Sequence, residues 1–257
     1  MKAGEKLWSR DELILAINLY CKLPFGRLHA HNPEIIKLAA LIGRTPGAVS
    51  YKLGNFSSLD PSLQARGIKG APNRSKLDRE IWEEFYQNWD ELPFESEKLR
   101  ASFEHSTVEK INSIDEDELP KEGKERERIV RARVNQSFFR SMVLSSYKST
   151  CCITGLQNSE LLIAGHIKPW SSDEKNRLNP RNGIAMNALH DKAFESGLIT
   201  ITPEYKIRIS SLLKEQKQNP SIQTYFLQYD GREIIPPRRF LPDCEFLRYH
   251  NEERFKA

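Results

Sequence analysis

Long apolar runs are missing from this sequence. None of the 257 residues falls in an uninterrupted apolar stretch of about 18, so no membrane-spanning helix is expected. The opening MKAGEKLWSRDELILAINLY breaks its apolar residues with acids at helical spacing. A signal peptide needs an unbroken apolar stretch, and the chain is therefore read as cytoplasmic. Cysteine is scarce. Cys21, Cys151, Cys152 and Cys244 make no CxxC pair, which excludes a disulfide scaffold and leaves reduced thiols as the default. Cys244 with His250 fits no recurring zinc spacing. Internal repeats and low-complexity tracts are also absent, as is a strong excess of one charge. The net charge of +4 is compatible with a nucleic-acid partner without requiring one.

What is present suits a soluble globular protein. Hydrophobic residues make up 39% and charged residues 29%, and the mean hydropathy is −0.59. The length allows one large or two medium domains.

Residues 1–104 read as helical. SRDELILAINLYCKL opens on a capping signature, with Ser9 three residues before Glu12. EIIKLAALIGRTPGAVSYKLGNF then has the features of a helix-turn-helix: Leu38 and Ala39 at the packing positions, Gly43 in the turn, and apolar Val49 ten residues after Ala39. Thr45 is an N-cap and Pro46 fits the first helical position. If the second helix enters a major groove, Arg44, Ser50, Lys52 and Asn55 face outward to phosphates and base edges. An ordinary three-helix core accounts for the same glycine and cap. LDPSLQARGIKGAPNRS reads as a loop, and residues 78–89 as an amphipathic helix.

Residues 105–122 are acidic and poor in large apolar side chains, which predicts a linker before a second domain at 123–257. KERERIVRARVNQSFFRSMVLSSYKS predicts one long helix. Strands are expected around Ile153, at LLIAGHI, and at LITIT and KIRIS, the last two as a hairpin around Pro203 and Glu204. NALHDKAFES and DCEFLRYHNEERF have helical spacing. The fold class is therefore α+β, with the helices gathered at the N-terminus.

One histidine stands out. His166 ends an apolar strand, AGHIKPW, where a satisfied core histidine is the ordinary explanation. Asn182 follows in the loop RLNPRNG, and His190 lies on the helix after it. Hydrolysis of a phosphodiester needs a base for water and a cation for the developing charge. Histidine titrates near neutral pH, asparagine both donates and accepts, and a second histidine offers a nitrogen to a metal.

In this order the motifs CCITG, AGHIKPW, NPRNGIAMNALHDKAFESGLITI and FLRYHNEERF resemble the restriction-type HNH endonucleases, over about half the chain from Gln136. The resemblance implies a ββα-metal fold with flanking helices. It further implies His166 as general base, Asn182 as the loop-fixing residue, and His190 as the helix ligand of one divalent ion, Mg²⁺ before Mn²⁺, Ni²⁺ or Zn²⁺. Double-stranded DNA is the implied substrate and the products carry 5′-phosphates. Double-strand cleavage by such a site requires a homodimer or two sequential nicks. Two departures stand out. Gly165 occupies the slot before the base where many members carry a metal ligand, and Phe194 stands where some place a second helix histidine. Asp191 is the nearest carboxylate, either a ligand or a helix-stabilising charge, and Asn187 is a weaker ligand or a surface amide. Trp170 and Phe194 are expected to pack around the site. Arg177, Arg181, Arg238 and Arg239 are either phosphate contacts or solvated. The alternative to an enzyme is a DNA-binding or regulatory protein whose HNH domain is a non-catalytic scaffold.

Overall fold

The computed structural model describes residues 6–86 and 88–257. The chain divides into two compact units, residues 1–141 and 142–257. The division falls inside a long helix and not at 105–122.

The first unit is helical. Its elements are α1 (Arg10–Lys22), α2 (Pro33–Leu41), α3 (Pro46–Ser57), α4 (Pro61–Gln64), α5 (Lys76–Tyr86), α6 (Leu92–Phe103), α7 (Val108–Ile111) and the start of α8 (Lys124–Ser146). The capping box forms as the sequence predicts. Ser9 Oγ accepts from the Glu12 amide, and Glu12 accepts from the Ser9 amide at 2.9 Å. At the end of α2 the Gly43 and Arg44 amides donate to the carbonyls of Ala40 and Ala39, closing the helix with the paired bonds of a Schellman turn. Thr45 caps α3 and Pro46 opens it.

The expected DNA face of α3 is corrected by its surroundings. Arg44 donates to the Lys6 and Leu7 carbonyls and to Glu12 at 2.7 Å, with its guanidinium 4.1 Å from the centroid of Trp8. Burial pushes the Glu12 carboxyl up, but hydrogen bonds from Arg44, Ser9 and Lys6 outweigh it and hold the group at about 2. Ser50 donates to the Leu28 carbonyl. Lys52 and Asn55 are buried, and Lys52 Nζ sits 2.8 and 2.9 Å from the two oxygens of buried Asp78. Asp78 also accepts from the Ser75 amide and so fixes the start of α5. The polar stripe of α3 therefore holds this unit together instead of facing solvent. Removing one partner strands a buried charge, so Lys52→Ala is expected to lower stability by about 3 kcal/mol or more. Urea unfolding of the variant measures it.

The segment 105–122 is also corrected. It carries α7 and lends Ile114 and Leu119 to a cluster with Phe94, Val130 and Val134. Its acids are used locally, since Arg126 bridges Glu109 and Glu116. A few apolar residues and pairing to the basic stretch of α8 suffice to fold a segment whose composition resembles a linker.

The second unit contains the end of α8, β1 (Leu162–His166), β2 (Gly183–Asn187), α9 (Ala188–Glu195), β3 (Ile199–Ile201), β4 (Ile207–Ile209), α10 (Ser211–Lys214), α11 (Pro220–Tyr225) and α12 (Cys244–Tyr249). A π-helical turn, His250–Arg254, extends α12. Strands β1 and β2 pair antiparallel, with His166 opposite Gly183 and Leu162 opposite Asn187. Strands β3 and β4 form the expected hairpin. Ile153 is not in a strand. CCITG is a turn in which the Cys152 amide donates to the Ala185 carbonyl and Cys151 Sγ accepts from the Asn187 amide. It thereby fastens the edge of β2. Cys244 and His250 do not share a site, because His250 is engaged by Thr200 and by the Phe194 carbonyl. No helix among the described residues is long and apolar enough to cross a membrane.

Candidate active site

Strand β1 delivers His166 to a cleft of about 280 Å³, lined also by Gly165, Trp170, Asp191, Glu195 and Arg254. The imidazole is held firmly. Its Nε2 lies 2.8 Å from the Arg177 carbonyl, and since a carbonyl only accepts, Nε2 carries the proton and Nδ1 is the basic nitrogen. Burial lowers the pKa of the ring, partly opposed by that hydrogen bond, so the neutral base prevails near pH 7. Trp170 packs edge-on at 5.5 Å between centroids.

Asn182 is almost fully buried and staples the long β1–β2 connection. Its Oδ1 accepts from the Lys168 amide at 2.8 Å, while Nδ2 donates to the carbonyls of Lys168 and Asn176, each at 3.1 Å. Its own carbonyl accepts from Ile167. Two residues after the histidine, the backbone is thus fixed on both its donor and acceptor sides.

The empty slot at Gly165 is filled from across the fold. A Cβ on Gly165 would overlap Asp191 Oδ1, so only glycine lets this carboxylate lie against β1. Burial pushes the Asp191 pKa up to about 6, with a smaller contribution from Glu195. Among the described residues its side chain makes no hydrogen bond or ion pair. Glu195, one helical turn on, borders the same cleft and pairs with Lys192 at 2.8 Å.

His190 requires a correction. It is buried away from the cleft, with Nε2 donating to the Tyr225 carbonyl at 2.7 Å and Nδ1 3.0 Å from Asn187 Oδ1. Phe226 and Tyr229 flank the ring. The Nε2 hydrogen bond holds the segment around residue 225 onto α9, while Nδ1 lies against the helix's own N-cap, and His190 does not line the cleft. Asn187 is the N-cap of α9 and accepts from the His190 amide, a structural role. Phe194 packs as expected, stacked on His250 at 3.6 Å. Arg177 and Arg181 are engaged within the unit. Arg177 donates to the Trp170 carbonyl and lies over that ring, and Arg181 pairs with Asp243. Arg239 is buried. Glu195 and Arg254 were not singled out by sequence reasoning. The spacing of Asp191 and Glu195, four residues apart on α9, was the available signal for the first.

Antiparallel β1 and β2, the stapled loop and α9 form the ββα arrangement, and residues 151–202 match the family model described as HNH endonuclease. The chain carries an HNH endonuclease domain. The match covers the strand–loop–strand–helix core and β3, and it ends before α10. Comparison of the chain with curated proteins gives no match. An HNH domain implies nuclease activity on DNA, and HNH endonucleases generally use a divalent metal ion.

The donor set can be weighed against such an ion. Among the described residues no group of three or more His, Cys, Asp or Glu is arranged to hold a metal. A zinc site would need at least three such ligands. Mg²⁺ asks less, since it keeps several waters and is commonly held by one or two carboxylates plus substrate phosphate. The desolvated Asp191 carboxylate fits that requirement, with Glu195 beside it.

Proposed function

We propose that residues 142–257 hydrolyse DNA phosphodiester bonds with His166 as general base and Asp191 as the principal ligand of one divalent cation, Mg²⁺ in the first place. The observation that carries this reading is the pairing, in one cleft, of a histidine whose basic nitrogen is fixed as Nδ1 with a half-buried carboxylate that makes no ion pair among the described residues. His166 takes the proton of the attacking water. Asn182 is a positioning residue, acting through the backbone of residues 167 and 168. The cation, when bound, neutralises charge at the phosphate and the leaving 3′-oxygen, which leaves 5′-phosphate ends. A restriction or defence context follows from the resemblance to restriction-type HNH proteins. The test is incubation of the intact protein with supercoiled plasmid in Mg²⁺, Mn²⁺ or Ni²⁺, with EDTA as control. Nicking that EDTA abolishes and that leaves ligatable 5′-phosphates is the expected result; no nicking in any of these metals sinks the proposal.

One observation favours the alternative of a DNA-binding protein with a non-catalytic scaffold: among the described residues Asp191 belongs to no group of three or more His, Cys, Asp or Glu placed to hold a metal, and Glu195 is tied to Lys192. That reading predicts duplex binding without nicking in the same assay.

A further inference from the structure

With the polar face of α3 buried, the helical unit must meet DNA elsewhere if it meets it at all. Residues 61–79 offer the strongest charge asymmetry on that unit. The stretch carries Arg66, Lys69, Arg74, Lys76 and Arg79, and its one acid is Asp78. All five cations are exposed, while Asp78 is fully buried against Lys52 and contributes no negative field to the surface. The nearest exposed acid in sequence is Glu80, which pairs with Lys76 across one helical turn where both are well exposed. Such a pair is worth little and exchanges readily for a phosphate.

The loop is held in shape. The Ala71 amide donates to the Gly54 carbonyl at 2.9 Å, Gln64 Nε2 to the Ser58 carbonyl at 2.7 Å, and Arg74 to Ser58 Oγ at 3.1 Å. Gly70, with φ +62°, lies so close to the Ser58 backbone that a Cβ there would overlap it. Lys52, Asn55 and Asp78 brace its far end, so the residues expected to read DNA instead support the surface beside them. Apolar side chains in the stretch are withdrawn: Leu63 is buried, and Ile68 and Leu77 are partly covered. The exposed face therefore has charge without the aromatic or aliphatic anchors that protein interfaces and membrane-bound helices use.

We infer that the loop at 65–75 together with the first turn of α5 is a phosphate-backbone contact for double-stranded DNA, gripping the duplex without reading its sequence. Arg66, Lys69, Arg74, Lys76 and Arg79 supply the charge, and Asn73 and Ser75 are exposed polar groups between them. The inference deepens the nuclease reading, since it names where the helical unit holds the substrate, yet it is tested without any cleavage.

The experiment is fluorescence anisotropy of the full-length protein with a labelled mixed-sequence duplex of about 30 base pairs in EDTA, over a series of salt concentrations. Replacing Arg66, Lys69, Lys76 and Arg79 together by alanine is expected to weaken binding at least about ten-fold. It should also lower the slope of log affinity against log salt by about 3.6, roughly 0.9 for each of the four lost phosphate contacts. A charge-keeping variant, with Arg66→Lys, Lys69→Arg, Lys76→Arg and Arg79→Lys, is expected to bind as the unmodified protein does, which separates charge from folding. Unchanged affinity and slope in the alanine variant overturn the inference, as does binding of the unmodified protein to phosphatidylserine vesicles but not to duplex. Failure of plasmid nicking alone leaves this result standing and counts only against the catalytic reading.

Discussion

His166→Ala is expected to slow plasmid nicking by about a thousand-fold while leaving duplex affinity within a factor of two. General-base catalysis by a positioned side chain contributes roughly 10² to 10⁴, and the site shows why the effect lies well inside that range. The ring is locked by the Arg177 carbonyl and braced by Trp170, so its basic nitrogen needs no reorientation before it accepts a proton. The pH dependence has a definite sign. Burial lowers the His166 pKa from its ordinary 6.5, and burial raises that of Asp191 to about 6. Both groups work in their deprotonated forms. The rate is therefore expected to rise with pH through about 6 and level off above about 7, without a loss attributable to either group on the alkaline side. A single-turnover pH profile measures this. A rate that falls as pH rises from 6 to 8 contradicts the assignment of His166 as a base.

Asp191→Asn is expected to have two effects of opposite sign. Nicking in Mg²⁺ should drop by at least about a hundred-fold, because the proposed ligand loses its charge. Stability without metal should rise. The folded-state pKa lies above the ordinary 3.8, so the ionised carboxylate costs the fold free energy, a cost absent below about 4 and fully present above about 6. Two pKa units would amount to about 3 kcal/mol in a closed interior. Solvent screening in this partly open cleft reduces that to about 1 kcal/mol. At pH 7.5 the variant should then melt a few degrees higher than the unmodified protein. Mg²⁺ should raise the Tm of the unmodified protein and leave that of the variant unchanged. Loss of activity together with a lower Tm would instead mark Asp191 as a structural residue.

The legible parts of this molecule were those with local signatures. The Ser9–Glu12 capping box, the Thr45-Pro46 helix start and the hairpin at β3 and β4 each rest on a few adjacent residues, and each formed. The order of His166, Asn182 and His190 was enough to place the HNH domain. Strand β2 escaped notice because GIAMN has no alternation of apolar and polar residues: its first four residues are all buried. The role of α3 was misread because Lys52 and Asn55 find their partner, Asp78, more than 20 residues further along the chain. A polar stripe on a helix looks the same in sequence whether it faces water or a buried carboxylate. The facing of α9 was hidden for a related reason. Asn187 caps the helix and sets its rotation, which turns Asp191 toward Gly165 and His190 toward Tyr225. The missing side chain at Gly165 looked like a missing ligand, whereas it is the space that admits the Asp191 carboxylate.

The assignment of the cleft rests on that rotation of α9, and a paired substitution tests it most directly. Single-turnover nicking in Mg²⁺ should be measured for Asp191→Asn and His190→Asn side by side, each at a temperature well below its own Tm. The account predicts that His190→Asn retains at least about a tenth of the unmodified rate and melts lower, while Asp191→Asn is nearly inactive and melts higher. An inactive His190→Asn beside a fully active Asp191→Asn would contradict it.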